Sequence, residues 1–241
     1  MVTELLFQTD SYLKSFIAKI VAIDRDNNII VLDKTAFYAT GGGQPNDQGK
    51  IFLGELILDV IDVKKAGDDI HHYVKEIPDV IETGLEVKGE IDWNLRYKYQ
   101  RTHTAMHILC GIIYQEFGST VTGGQIKQLE GRMDFDIEKF TNDKVKFIEE
   151  KCNDAIKKDY PIKVDFLTRE IADQDPELIR TKVSLIPKSV NTIRTIDIVG
   201  LDKQADGGTH VKSTKEVGTM IINKMDNKGK GRKRLYFTLL D

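Results

Sequence analysis

Three of the five histidines in this 241-residue chain are spaced for joint work. His103 and His107 stand four apart in Arg101-Thr102-His103-Thr104-Ala105-Met106-His107. On a helix, at about 100° per residue, their directions differ by only about 40°. That arrangement presents two imidazoles to one metal ion. A peptidase of the His-Glu-x-x-His kind needs glutamate where Thr104 stands, so peptidase chemistry is disfavoured. Asp206 and His210 are again four apart, across the Gly207-Gly208 pair. Both are ligand types, and the glycines let backbone wrap closely round an ion. Each feature alone also fits a tight turn or a core histidine. Taken together, His103, His107, Asp206 and His210 favour a metal shell. The remaining His71 and His72 read as surface residues near a turn.

The histidine pair needs a helix to carry it. Ala105, Ile108, Leu109, Ile112 and Ile113 recur at helical spacing, which predicts a helix from Arg96 to Phe117. His103 and His107 share the opposite side with Met106, Cys110 and Tyr114, and that side carries no charge. A helix apolar on one side and uncharged on the other is expected to pack on both. The stretch before Trp93 reads as β structure, with strands at Ser15–Ile23, Ile29–Asp33, Ile51–Leu53, Leu56–Val63 and Val87–Ile91. Short strands separated by glycine and aspartate suggest a small barrel or sandwich. After the histidine helix come an expected strand at Arg132–Asp136 and an amphipathic helix at Asn142–Lys158. A strand at Val164–Leu167, a short helix at Asp173–Ile179 and strands at Ile193–Val199, Val217–Ile222 and Leu235–Leu240 follow. Helices and strands mix without βαβ regularity, so the second part is α+β. The expected division is residues 1–94 and 95–241.

Tyr38-Ala39-Thr40-Gly41-Gly42-Gly43-Gln44-Pro45 interrupts the β-rich part with a loop of unusual backbone path. No Gly-Lys-Ser/Thr follows, so it is not a phosphate-binding P-loop. Lys228-Gly229-Lys230-Gly231-Arg232-Lys233-Arg234 is the one clear basic cluster. By itself it reads equally well as a solvated loop.

These stretches together resemble the editing domain of alanyl-tRNA synthetase and its free-standing relatives, the AlaX proteins. That family carries a His-x-x-x-His motif, and a second motif usually reading Cys-Gly-Gly-Thr-His, around zinc. Here the second motif is Asp206-Gly207-Gly208-Thr209-His210. Phe37-Tyr38-Ala39-Thr40-Gly41-Gly42-Gly43-Gln44-Pro45 is similar to the glycine-rich motif of longer members. Thr122-Gly123-Gly124-Gln125 and Arg132-Met133-Asp134-Phe135 are similar to the strands after the helix. Lys230-Gly231-Arg232-Lys233-Arg234-Leu235-Tyr236-Phe237 is similar to the last strand. The resemblance runs in order from about Phe37 to the C-terminus and matches the medium-length class.

The resemblance implies an N-terminal small β-barrel followed by an α+β editing domain of the alanyl/threonyl-tRNA synthetase type. It implies one Zn²⁺ held by His103, His107 and His210 together with Asp206, which replaces the family cysteine and either ligates through oxygen, orients a histidine or water beside the ion, or leaves the site weaker and suited to another ion. It implies a metal-dependent hydrolase acting in trans on mischarged alanine tRNA, removing serine and allowing glycine as a second target. His103, His107, Thr102 and Gln125 are then the catalytic candidates. Gly41, Gly42, Gly43, Gln44, Lys230, Arg232, Lys233 and Arg234 are candidates for substrate and tRNA contact. Arg96, Lys98 and Arg101 would add phosphate contacts that are salt-sensitive and sequence-blind. The alternative is a degenerate module that grips tRNA acceptor ends without hydrolysis, with Asp206 marking a lost metal site.

Bulk properties are compatible with both readings. Hydrophobic residues at 40% and charged residues at 30% fit a folded chain rather than a disordered one. A net charge of -3 means that any RNA is held by a local patch, not by overall charge. Two cysteines outside any Cys-x-x-Cys pattern support neither a disulfide framework nor a zinc ribbon. No apolar run approaches a membrane span, and the first ten residues lack a signal-peptide pattern, so a cytoplasmic location is expected. No membrane and no obligate protein partner are expected.

Overall fold

The computed structural model describes residues 2–138, 140–180, 190–229 and 231–241. The chain forms two compact units, Met1–Tyr97 and Lys98–Asp241.

The first unit contains β1 (Glu4–Leu5), β2 (Ser15–Asp24), β3 (Ile29–Leu32), β4 (Lys34–Thr35), β5 (Gly49–Leu53), β6 (Leu56–Ala66), β7 (Asp69–Val74) and β8 (Glu86–Ile91). Six of these close into a barrel in the order β2-β3-β7-β6-β5-β8. Closure follows from period-2 patterning, which turns alternate side chains inward. Phe16, Ala18 and Ile20 of β2, Ile70 and Val74 of β7, and Val87 and Ile91 of β8 all join one core. A register shift between Val60 and Asp62 lets Val63 rejoin the inner face while Ile61 points out.

β7 was not expected, and it corrects the reading of the two neighbouring histidines. His72 occupies the inward position between Ile70 and Val74 and is fully buried. Its Nε2 lies 2.9 Å from Thr35 Oγ1 and its Nδ1 lies 3.0 Å from the Ile30 carbonyl. His71 is only half-buried. The imidazole that hides in the barrel was mistaken for a surface group because its strand is short and polar at alternate positions.

Helix α1 runs from Trp93 to Phe117. Asp92 starts it, its carboxylate accepting the Leu95 N–H at 3.1 Å. The second unit continues with β9 (Val121–Lys127), β10 (Glu130–Asp136), α2 (Asn142–Lys157), β11 (Ile162–Thr168), α3 (Arg169–Ala172), β12 (Thr192–Ile198), β13 (Asp202–Ala205), β14 (Thr219–Asn227) and β15 (Arg232–Leu240). The expected helix at Asp173–Ile179 is reduced to a 3-10 turn at Pro176–Leu178, and the short helix α3 ends before it, at Ala172. Pro176 has no N–H to continue a helix. The strand expected from Val217 starts at Thr219, because Gly218 at φ +81° ends a 3-10 turn over Thr214–Val217.

Two antiparallel sheets form, β14-β15-β10-β9 and β11-β12-β13. α2 seals the β14 edge. Its Asn153 side chain accepts the Met220 N–H at 2.9 Å and donates to the Met220 carbonyl at 2.8 Å, while Glu149 accepts the Ile222 N–H at 2.5 Å.

α1 is buried without a break from Arg101 to Ile113, in keeping with packing on both sides. A Cβ on Gly124 of β9 would lie 2.7 Å from Met106 Cε, so one side of the helix presses on the four-stranded sheet. A Cβ on Gly111 would lie 2.8 Å from Asp202 Cβ, so the other side meets β13. Cys110 is there too, its thiol 3.9 Å from Gln204 Oε1. Burial pushes that thiol up to about 12 and raises the buried Cys152 as well.

Candidate metal centre

α1 and the end of β13 bring the four candidate ligands together. Alternate residues of a strand share a face. Asp202 and Gln204 meet Gly111 and Cys110 of α1 in that way, and Asp206 is the next residue on the same face. Asp206 lies opposite His103 and His107. Strand pairing extends to this point, with Asp206 N–H donating to the Arg194 carbonyl at 3.1 Å. The chain then turns through Gly207-Gly208. Gly208 N–H donates to Asp206 Oδ2 at 2.6 Å, and the turn returns His210 to the same carboxylate.

Asp206 Oδ1 lies 3.4 Å from His103 Nε2 and 3.9 Å from His107 Nε2, and Oδ2 lies 3.1 Å from His210 Nε2. The ring centroids are 4.3–5.1 Å apart. One donor atom from each residue can be chosen so that all lie within 4.8 Å of one another. A tetrahedral ion with bonds of about 2.0–2.1 Å holds its donors about 3.3–3.4 Å apart. The set could therefore hold a metal ion after small side-chain adjustments. His103 and His210 are only 4% and 3% exposed, whereas the Asp206 side chain retains 15%. The His107 side chain retains 10%, so what exposure the centre has lies at Asp206 and His107.

The electrostatics match a cation site. Burial pushes His103 down to about 4, and drives His210 well below its ordinary value. Burial alone would raise the Asp206 carboxyl, but His103, followed by His210, holds it well below the usual carboxylate range. The imidazoles are therefore neutral and the carboxylate ionised, the charge states that a cation site calls for. Arg194, 6% exposed, donates from Nη1 to the Asp206 carbonyl at 2.9 Å and lies 3.8 Å from Oδ2. This neighbouring charge was missed in the sequence. Its only signal is that strand alternation sets it on the same face as Ile196 and Ile198.

The other candidates lie elsewhere. Thr102 is fully buried, and its hydroxyl donates to the Lys98 carbonyl at 3.0 Å, one turn back along the helix. Gln125 follows Gly124 in β9, and strand alternation turns it to the sheet face away from Met106. There its Oε1 accepts from Arg132 Nε at 3.0 Å, in a groove of about 390 Å³ shared with Arg234 and Tyr236. Arg234 is clamped by the Asp134 carboxylate through two bonds of 2.5 and 2.6 Å. Lys233 bonds Asn227, and Arg232 is exposed at the hairpin between β14 and β15. Lys230 lies outside the described residues.

Gly41–Gln44 belong to the first unit and form a tight turn. Gly41 and Gln44 exchange backbone hydrogen bonds of 3.1 and 2.8 Å around Gly42 and Gly43, whose φ values are +56° and +84°. Side chains other than glycine's rarely adopt that path. Gly42 and Gly43 are exposed, and Gln44 is buried. Arg96 and Arg101 are not free phosphate contacts. Arg96 is fully buried, with Nε 2.8 Å from Asp47 Oδ1 and bonds to the Ser11 and Ala36 carbonyls. Arg101 spends its guanidinium on the Val217 and Leu240 carbonyls and the Asp241 side chain. Both lead into the histidine helix, which is why phosphate contacts were expected of them. Lys98 reaches Gln128 Oε1 at 3.4 Å.

Residues 8–95 match the family model of tRNA synthetases class II (A), and residues 193–236 match that of the threonyl and alanyl tRNA synthetase second additional domain. The chain is 40% identical over 240 residues to the alanyl-tRNA editing protein AlaX-M of Saccharolobus solfataricus, covering 98% of this chain and 99% of the relative. It is 37% identical over 245 residues to the AlaX-M protein of Methanosarcina acetivorans, covering 99% and 100%. Alanine–tRNA ligase of Pyrobaculum calidifontis is 35% identical over 243 residues, which are 98% of this chain but 27% of the ligase. The likeness extends N-terminal to Phe37, beyond the stretch that the motifs mark. Among the described residues, no helix is long and apolar enough to cross a membrane.

Proposed function

Because the chain belongs to the AlaX-M family of alanyl-tRNA editing proteins, we propose that it hydrolyses mischarged alanine tRNA in trans. Serine is the first amino acid removed and glycine the second. The observation that carries this reading is the buried His103–His107–Asp206–His210 cluster, whose donors fit one ion.

Three imidazoles and a carboxylate suit zinc. When bound, the ion supplies positive charge that polarises an ester carbonyl and acidifies water. The chain's own residues do the positioning. α1 fixes His103 and His107 on one buried face, and the Gly207-Gly208 turn fixes Asp206 and His210 against them. Arg194 offsets the negative charge of Asp206 on the closed side. The aminoacyl end enters where Asp206 and His107 retain exposure. Serine is told from alanine by its hydroxyl, since polar groups left unpaired beside a methyl group discriminate strongly. Exposed Arg232 and Lys228 at the β14–β15 hairpin are the candidates for phosphate contact, and the exposed Gly42-Gly43 tip offers bare backbone to substrate.

The test is deacylation of serine-charged, glycine-charged and alanine-charged alanine tRNA by the purified protein, before and after chelation. Rapid loss of serine with alanine spared, abolished by chelator and restored by zinc, is the expected result. No turnover of any of the three, by protein that still binds tRNA, would replace the enzyme with the binding module. Turnover unaffected by chelation would remove the ion from the reaction.

A further inference from the structure

Thr104 lies between the two helix histidines and is fully buried. Its Oγ1 is 3.1 Å from Nδ1 of His210, 106 residues further along the chain. The same oxygen accepts the Val211 N–H at 3.3 Å. The other ring nitrogen of His210, Nε2, lies 3.1 Å from Asp206 Oδ2. His210 is therefore held at both nitrogens, by two groups of different capacity. A carboxylate only accepts a hydrogen bond, whereas a hydroxyl both donates and accepts.

That difference matters because a neutral imidazole carries one proton. Without an ion, a proton on Nε2 bonds to Asp206, and the bare Nδ1 takes the hydroxyl hydrogen of Thr104. For Nε2 to offer its lone pair to an ion, the proton must reside on Nδ1, where Thr104 Oγ1 accepts it. The hydroxyl hydrogen then swings toward the carbonyl of the preceding helical turn, a common arrangement for threonine in a helix. The ring keeps one proton throughout, and neither nitrogen is left unpaired in the buried site. Valine has the same shape and can do neither.

We infer that Thr104 is a positioning residue whose hydroxyl, by changing from donor to acceptor, holds His210 in the tautomer that ligates the ion. The inference rests on the reading of the cluster as a metal site. It also explains why this position carries a hydroxyl rather than one more apolar residue of a buried helix.

The experiment compares Thr104→Val and Thr104→Ser with the unaltered protein, using zinc affinity by chelator competition and thermal melting. The valine variant is expected to bind zinc about 10–100-fold more weakly, and the serine variant within about threefold of the unaltered protein. Wild-type affinity in a folded valine variant would overturn the inference. Equal weakening in both folded variants would also overturn it, because packing rather than the hydroxyl would then be at work. A second measurement needs no variant: imidazole ¹H–¹⁵N spectra of the full chain with and without zinc. A proton on Nδ1 of His210 in the zinc-loaded protein and on Nε2 in the metal-free protein is expected. One unchanged tautomer in both states would refute the switch. Failure of the unaltered protein to bind zinc would instead overturn the metal reading itself.

Discussion

His72 in the barrel and His103 in the second unit are both buried, and burial pushes both imidazoles down to about 4. Neither exposure nor protonation state tells them apart. Their neighbours do. The ring nitrogens of His72 meet one hydroxyl and one carbonyl, each at about the distance of a finished hydrogen bond. The Nε2 of His103 faces a carboxylate that two other imidazoles also face. A buried histidine with two separate partners completes a core. Buried histidines whose nitrogens converge leave a place for something else. The two units thus give one residue type two meanings, by convergence alone.

Removing one converging donor is the most damaging way to break this contrast. His107→Ala is expected to weaken zinc binding by about a hundredfold to a thousandfold, since apparent zinc energies of about 10–16 kcal/mol are shared among four donors. Competition with a chelator measures it, and serine deacylation should fall in parallel. The barrel's counterpart is the buried Arg96–Asp47 pair, both side chains fully enclosed. Arg96→Met strands the Asp47 charge and is expected to cost about 3–4 kcal/mol in urea unfolding.

The next effect sharpens the histidine comparison directly. The folded-state value of His72 lies below its unfolded value of 6.5, at about 4. Between those limits the unfolded chain binds more protons, so the stability is present above pH 6.5 and is lost as pH falls toward 4. The loss is up to about 3 kcal/mol. Urea midpoints taken across that range should show the slope, and His72→Asn should reduce it, leaving the share that His103 and His210 contribute. An unchanged slope in that variant would clear His72 of the effect. Smallest is Asn153→Ala, which frees the Met220 backbone groups at the sheet edge and should cost about 1–2 kcal/mol.

The parts of the molecule with strong periodicity were legible in the sequence. α1, α2, the β2–β3 hairpin and the strands around Leu58, Val164 and Ile196 stand close to where apolar spacing puts them. The four clustered residues were legible because two four-residue spacings and a glycine pair are local signals. What escaped depends on alternation carried across distant strands. β7 was missed, and with it the inward turn of His72. Gln125 was counted with the cluster through the resemblance of Thr122-Gly123-Gly124-Gln125 to the family, yet the pleat turns it to the other face of its sheet. Arg96 and Arg101 look like free cations until Asp47, Val217 and Leu240 are seen folded onto them. Thr104 was noticed only for the glutamate it is not.

The burial of Cys110 and Cys152 has a consequence for chemistry under oxidative stress. A thiol raised to about 12 is almost wholly protonated near neutrality, and the protonated form is the one that peroxide attacks poorly. The proposed zinc shell holds oxygen and nitrogen donors and no sulfur. A centre so composed has no ligand to lose to sulfenic acid or to a mixed disulfide. Proofreading that rests on it would continue where a thiolate-bound ion would be released.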